Sequence, residues 1–284
     1  MAMPADLRER VAGFLGPGRV FSRAEFAEAL CAPEGSRAVG RLLAREVGAG
    51  RIRRVRRGVF VAASDAESPG RFVVPDYLVA SRLRPDAVLG YHTALELYGI
   101  QYSAIISEVQ VLSRGRPGHT DLPFGRCRFI RPHRALEEAG RTDCLTVTVE
   151  AMGVPVRVTA FERALVDAFH RPDRACGRDE VIDSLAYAPV HLNDFDCRRV
   201  ADYVELLGIR HLAGAVGWCL ERWRTEMNVS ERTLDRLRAM LPRSNSYALG
   251  ARPGNARLAD GWRVLLPPDA LDTTFEGWPV DWEC

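Results

Sequence analysis

Three arginines at four-residue spacing, Arg37, Arg41 and Arg45, are followed within a dozen residues by Arg51, Arg53, Arg54, Arg56 and Arg57. A guanidinium is a permanently charged fork of N–H donors that matches phosphate oxygens and the O6/N7 edge of guanine. On a helix each i,i+4 step turns only about 40°, so the first three share one face. Val39, Leu42, Leu43 and Val47 are expected on the other side, packed on a core. Ser36 is positioned as an N-cap and Gly48-Ala49-Gly50 as a stop. The next segment, RIRRVRRGVFV, reads as a hairpin turning at Arg57-Gly58. A basic amphipathic helix followed by a basic hairpin is the order of a winged helix-turn-helix. In that plan Arg37, Arg41 and Arg45 read bases in the major groove, and the hairpin arginines grip phosphate or enter the minor groove.

The elements that must position this helix precede it. Leu7, Val11, Phe14 and Leu15 lie at helical spacing over 6–15, and Ser22-x-x-Glu25 is a capping box opening a second helix with Phe26, Ala29 and Leu30 inward. Three short helices and a hairpin therefore occupy residues 1–64, a winged helix-turn-helix domain. Residues 65–74 read as a linker, 75–268 as a larger mixed α+β domain with a helical last third, and 269–284 as an acidic tail. The fold class is α+β.

Charge supports the division. Residues 1–62 hold twelve Arg against six Asp and Glu, a balance of +6, within a chain whose net charge is +2. The remainder is therefore −4, so a polyanion is expected to meet the amino-terminal part only. All 39 basic residues are arginine. Without lysine the chain has no amine for a P-loop, a Schiff base or a Ser-Lys pair. Seven cysteines without a CxxC pair fit a reducing compartment. The amino terminus turns charged too early for a signal peptide, and no apolar run reaches the length of a membrane span, so a cytoplasmic protein is expected.

Beyond the linker, helices are expected over 75–83 and 90–98, with His92 and Glu96 an i,i+4 pair of structural character. Strands are expected at 108–113, 127–130 and 145–149, the first two joined as a long hairpin. Arg114, Arg116, Arg126, Arg128 and Arg131, with Arg134 close behind, make a second basic patch around the single acid Asp121. It reads equally as an extension of a DNA footprint, a surface for an acidic protein, or a sheet edge guarded by charge. VPVRV at 154–158 runs into Thr159-x-x-Glu162, a second expected capping box. In the helix that follows, Glu162, Arg163 and Asp167 form a polar side and the last two an ion pair. Helices are expected over 179–185, 197–207 and 211–225, with Ser230 capping one more, before a loop and a short strand.

GxGxxG, HExxH, GxSxG and metal-spaced Cys or His pairs are all missing, so no catalytic residues, metal ligands or cofactor are assigned and the chain is not expected to be an enzyme. The alternative is a winged helix carrying a metal-dependent nuclease domain, with acids such as Asp167 and Glu180 as ligands; the missing lysine weighs against it.

Several stretches together resemble the AbiEi family of antitoxins from type IV toxin–antitoxin systems. These are the amino-terminal module ending in RRGVFV, YHTALELYGI, VRVTAFERALVDAF, and an ending SNSYALG…GWRVLLP, with the likeness spanning roughly residues 5–268. The resemblance implies a bacterial repressor of its own operon that binds operator DNA through the third helix and wing. It also implies a carboxy-terminal domain that opposes a nucleotidyltransferase-like toxin, without naming residues for that role. One short recognition helix reads few base pairs, so a homodimer or cooperative binding is expected.

Overall fold

The fold is that of a computed structural model in which residues 5–63, 74–100, 108–182, 184 and 195–272 are described. It is mixed α+β, as expected. Most of the expected linker and most of the acidic tail lie outside the described residues. The chain forms two compact units, one of residues 1–89, 107–131 and 148–158, the other of 90–106, 132–147 and 159–284.

The first unit begins with helix α1 (Ala5–Phe14), strand β1 (Val20–Ser22), helices α2 (Arg23–Ala29) and α3 (Arg37–Gly48), and strands β2 (Ile52–Arg56) and β3 (Val59–Ala62). The three strands form an antiparallel sheet in the order β1-β3-β2. Its core is aromatic. Phe21 packs edge-on against Phe14 at 5.1 Å and stacks on Phe60 at 5.8 Å, with Phe26, Val39, Leu43 and Ile52 around them. Local signals agree with this packing. Ser22 and Glu25 close a reciprocal capping box, and the Ser36 hydroxyl accepts from the Ala38 N–H at the start of α3.

The same unit holds a six-stranded sheet ordered β6-β7-β5-β4-β9-β8, and helix α4 (Asp76–Ala80). Its strands are β4 (Val88–Leu89), β5 (Glu108–Leu112), β6 (Gly118–Asp121), β7 (Arg126–Ile130), β8 (Thr146–Ala151) and β9 (Val154–Thr159), the last two extending slightly past the unit's limits. The expected long hairpin between 108–113 and 127–130 does not form. β5 and β7 are parallel, from Glu108 opposite Arg126 to Leu112 opposite Ile130, and β7 pairs antiparallel with the intervening β6. The loop had room for an extra edge strand, and GHTD, polar on both faces, carries no alternation that would mark one.

The second unit is built on helix α7 (Phe161–His170), whose residues 161–169 are all buried. Around it pack α5 (His92–Leu97), α8 (Cys197–Leu207) and α9 (Arg210–Arg222). Helices α6 (Arg134–Glu138), α10 (Glu231–Ala239) and α11 (Pro268–Asp272) also belong to the helical part. Two expectations fail at α7. Its N-cap is Ala160 with no side-chain cap bond, so the Thr159–Glu162 box is absent; Glu162 instead accepts from the Asp196 N–H at 3.2 Å. The polar residues do not form a solvated side either, because Arg163 and Asp167 are buried as a pair.

The expected loop and short strand near the end form a sheet of β10 (Ser246–Tyr247), β12 (Val264–Leu266) and β11 (Arg257–Ala259), in that order. Beside it, fully buried Trp262 lies on α9, where a Cβ added at Gly217 would come within 1.9 Å of its ring, and its indole N–H donates to Glu221 at 2.6 Å. Only glycine permits that approach.

Candidate nucleic-acid interface

Helix α3 buries Val39, Leu43 and Glu46 and leaves Arg37, Arg41 and Arg45 exposed. The core contact is therefore narrower than expected and contains an acid. Val47 is 41% exposed and faces a cleft of about 1160 Å³ together with Gly40 and Ala44. Wheel geometry accounts for the exchange, since Glu46 lies about 180° from Arg37 and Val47 only about 80°. Apolar character alone concealed it.

Glu46 divides the eight arginines. Its side chain is 1% exposed and accepts from Arg45 at 2.9 Å and from Arg51 at 2.5 Å. Burial pushes its carboxyl up, but the hydrogen bonds and charges of Arg51 and Arg45 outweigh burial and hold it below the ordinary carboxylate range. Arg45 and Arg51 keep side-chain exposures of 44% and 55%, so each can still meet a phosphate, yet each is tethered in direction. Arg37 and Arg41 have no such anchor, and neither do Arg53, Arg56 and Arg57, among the described residues. Arg54 folds its Nε onto the Arg56 carbonyl at 3.3 Å. The hairpin turn falls at Arg57-Gly58, where Gly58 has φ 79°, a conformation that glycine adopts without strain. An exposed pair on α3 thus stands beside a basic hairpin, with a tethered pair at their junction.

The second basic patch is largely engaged by acids from distant parts of the sequence. Glu108 pairs with Arg126 at 3.0 Å and Arg128 at 3.5 Å, and Asp86 with Arg114 at 3.5 Å. Arg116 contributes its carbonyl to the Arg84 guanidinium at 2.7 Å, and Arg131 is exposed. Parallel pairing of β5 with β7 places Glu108 opposite Arg126, a neighbour the hairpin expectation could not supply.

The acids considered as nuclease ligands are engaged as well. Asp167 accepts from Tyr203 at 2.9 Å and from Arg163 at 3.4 Å, while Glu180 meets His92 at 3.2 Å and the Ser184 hydroxyl at 2.9 Å. His92 is fully buried between Glu180 and Glu96, the latter at 3.6 Å. Among the described residues, no group of three or more His, Cys, Asp and Glu side chains is arranged to hold a metal ion. No described helix is long and apolar enough to cross a membrane.

No family model matches the chain, and no curated protein matches it. A solved structure, that of the RV2827C protein from Mycobacterium tuberculosis, is similar with a TM-score of 0.52 over 93% of this chain and 92% of that one, at 14% identity. At that identity the likeness is one of fold.

Proposed function

We propose that the amino-terminal module is a winged helix that binds duplex DNA, with α3 in the major groove and the β2–β3 hairpin as the wing. The observation that carries this reading is the pairing of exposed, unanchored Arg37 and Arg41 with a hairpin bearing Arg53, Arg56 and Arg57. Arg37 and Arg41 supply base contacts. The hairpin arginines, with tethered Arg45 and Arg51, supply phosphate contacts that set register. The protein then acts as a transcriptional repressor by occupying an operator, as a dimer or cooperatively on repeated sites.

The resemblance to AbiEi antitoxins extends the proposal to the second unit, which would oppose a nucleotidyltransferase-like toxin encoded beside it. Co-expression with the product of the neighbouring gene tests this part, since restored growth supports it and unrelieved toxicity removes it. For DNA binding, a mobility-shift assay on the DNA upstream of its own gene is the direct test. Arg41→Ala is expected to cost about 1–3 kcal/mol of discrimination between sites. Unchanged sequence preference in both Arg37→Ala and Arg41→Ala would remove α3 from the recognition role.

A further inference from the structure

The turn joining β6 and β7, Leu122-Pro123-Phe124-Gly125, carries an aromatic ring that the fold displays instead of burying. Phe124 is 66% exposed although the turn around it is tightly held. Leu122 is buried and its N–H donates to the Gly125 carbonyl at 2.8 Å. Asp76, at the start of α4, receives the Phe124 N–H with both carboxylate oxygens at 3.2 Å. The ring therefore sits at the tip of a braced two-stranded ribbon on the edge of the six-stranded sheet. Beside it lies a cleft of about 400 Å³ lined by Phe124, Pro123 and the hairpin residues Arg53, Arg54 and Arg56, with no acid among its lining residues.

An exposed phenyl ring beside three guanidinium groups has few ways to be useful to a polyanion. Phosphates would satisfy the arginines, but the ring gains only by leaving water, and the apolar surface of nucleic acid is the face of its bases. Minor-groove proteins use Phe and Pro at such tips, parting a base step and kinking the duplex so that flanking phosphates come closer to the protein. We propose that the β6–β7 ribbon is a second DNA-contacting arm, in which Phe124 enters a base step as an apolar wedge while Arg53, Arg54 and Arg56 hold the flanking phosphates. The inference rests on the DNA-binding reading above and adds deformation of the duplex to it. Recognition would then depend on how easily a step opens as well as on bases read by α3, favouring TA and CA/TG steps beneath the ribbon.

The test uses the full chain and short duplexes bearing its binding site, labelled at both ends so that energy transfer reports bending. The parent is expected to bind and bend the duplex. Phe124→Ala is expected to bind roughly tenfold more weakly, to lose the bend, and to show a shallower slope of affinity against salt, because the phosphates that the kink brings to Arg53, Arg54 and Arg56 fall away. Phe124→Leu, still an apolar wedge, is expected to recover all three. Circular dichroism and melting of each variant establish that the fold is intact. Equal affinity and bending in Phe124→Ala, with Arg41→Ala still impaired, would overturn the wedge, keep the DNA reading and leave the tip to a protein partner. A parent that binds no duplex at any salt would overturn both.

Discussion

Arginine stands in opposite settings on α3 and α7. On α3, Arg37 and Arg41 stand in water with the apolar residues beneath them, and nothing in the fold depends on their charge. On α7, Arg163 is 1% exposed; its Nη1 donates to the carbonyls of Thr142 at 2.9 Å and Cys144 at 2.8 Å, while its Nε meets Asp167 at 3.4 Å. Tyr203 completes that network through Asp167. Arg45 and Arg51 are intermediate, fixed by a buried acid but half in solvent. In a chain whose only basic side chain is arginine, residue type cannot separate a binding cation from a structural one. The separation comes from which donors the fold has already occupied.

That contrast can be broken most forcefully at Arg163. Arg163→Ala leaves Asp167 buried against Tyr203 alone and two carbonyls without their donor, and is expected to cost about 3–5 kcal/mol in denaturant unfolding. Arg41→Ala, its exposed counterpart, should change stability by less than about 0.5 kcal/mol while weakening DNA recognition. Equal stability losses in the two variants would erase the distinction.

Glu46→Gln probes the intermediate case and is expected to cost about 1–2 kcal/mol, less than Arg163→Ala because Arg45 and Arg51 remain half solvated. The carboxyl has a folded pKa below its ordinary value of 4.5, so its stabilisation is complete above that pH and disappears as pH falls through the folded value. Glu46→Gln should therefore flatten the acid limb of the stability curve, and a parallel limb in the variant would show that Glu46 does not create it.

The effect at His170 is confined to mild acid. Burial, aided by the neighbouring His133, Arg171, His211 and Arg174, pushes its pKa from 6.5 down to about 4. The unfolded chain then takes up the proton more readily, so stability is expected to fall as pH drops from about 6.5 to about 4. His170→Asn should reduce that slope when melting is followed across the interval; an unaltered slope would assign it elsewhere.

Much of the module was legible beforehand because its signals are local. The Ser22 and Ser36 caps, the Arg57-Gly58 turn and the aromatic spacing each act within a few residues and agree with one another. What escaped was set by distant partners. Glu108 reaches Arg126 and Arg128 of the second patch only because β5 runs parallel to β7, and α7 tolerates buried Arg163 and Asp167 only because Thr142, Cys144 and Tyr203 come to meet them. Glu46 was a different omission. Its helical angle follows from the sequence, but a carboxylate settles on the core side only where arginines such as Arg45 and Arg51 meet it. Trp262 on Gly217 is a contact that neither residue announces alone.

If the α3 and hairpin arginines form a surface for duplex DNA, as proposed, the affinity of the full chain must depend on salt. Each phosphate contact should contribute about −0.9 to the slope of log affinity against log salt. A steep slope is expected for the parent, lowered by close to one contact's worth in Arg53→Ala or Arg57→Ala. Arg41→Ala should instead lose preference for the specific site over random duplex. A flat salt response, or hairpin variants indistinguishable from the parent, would contradict the proposal.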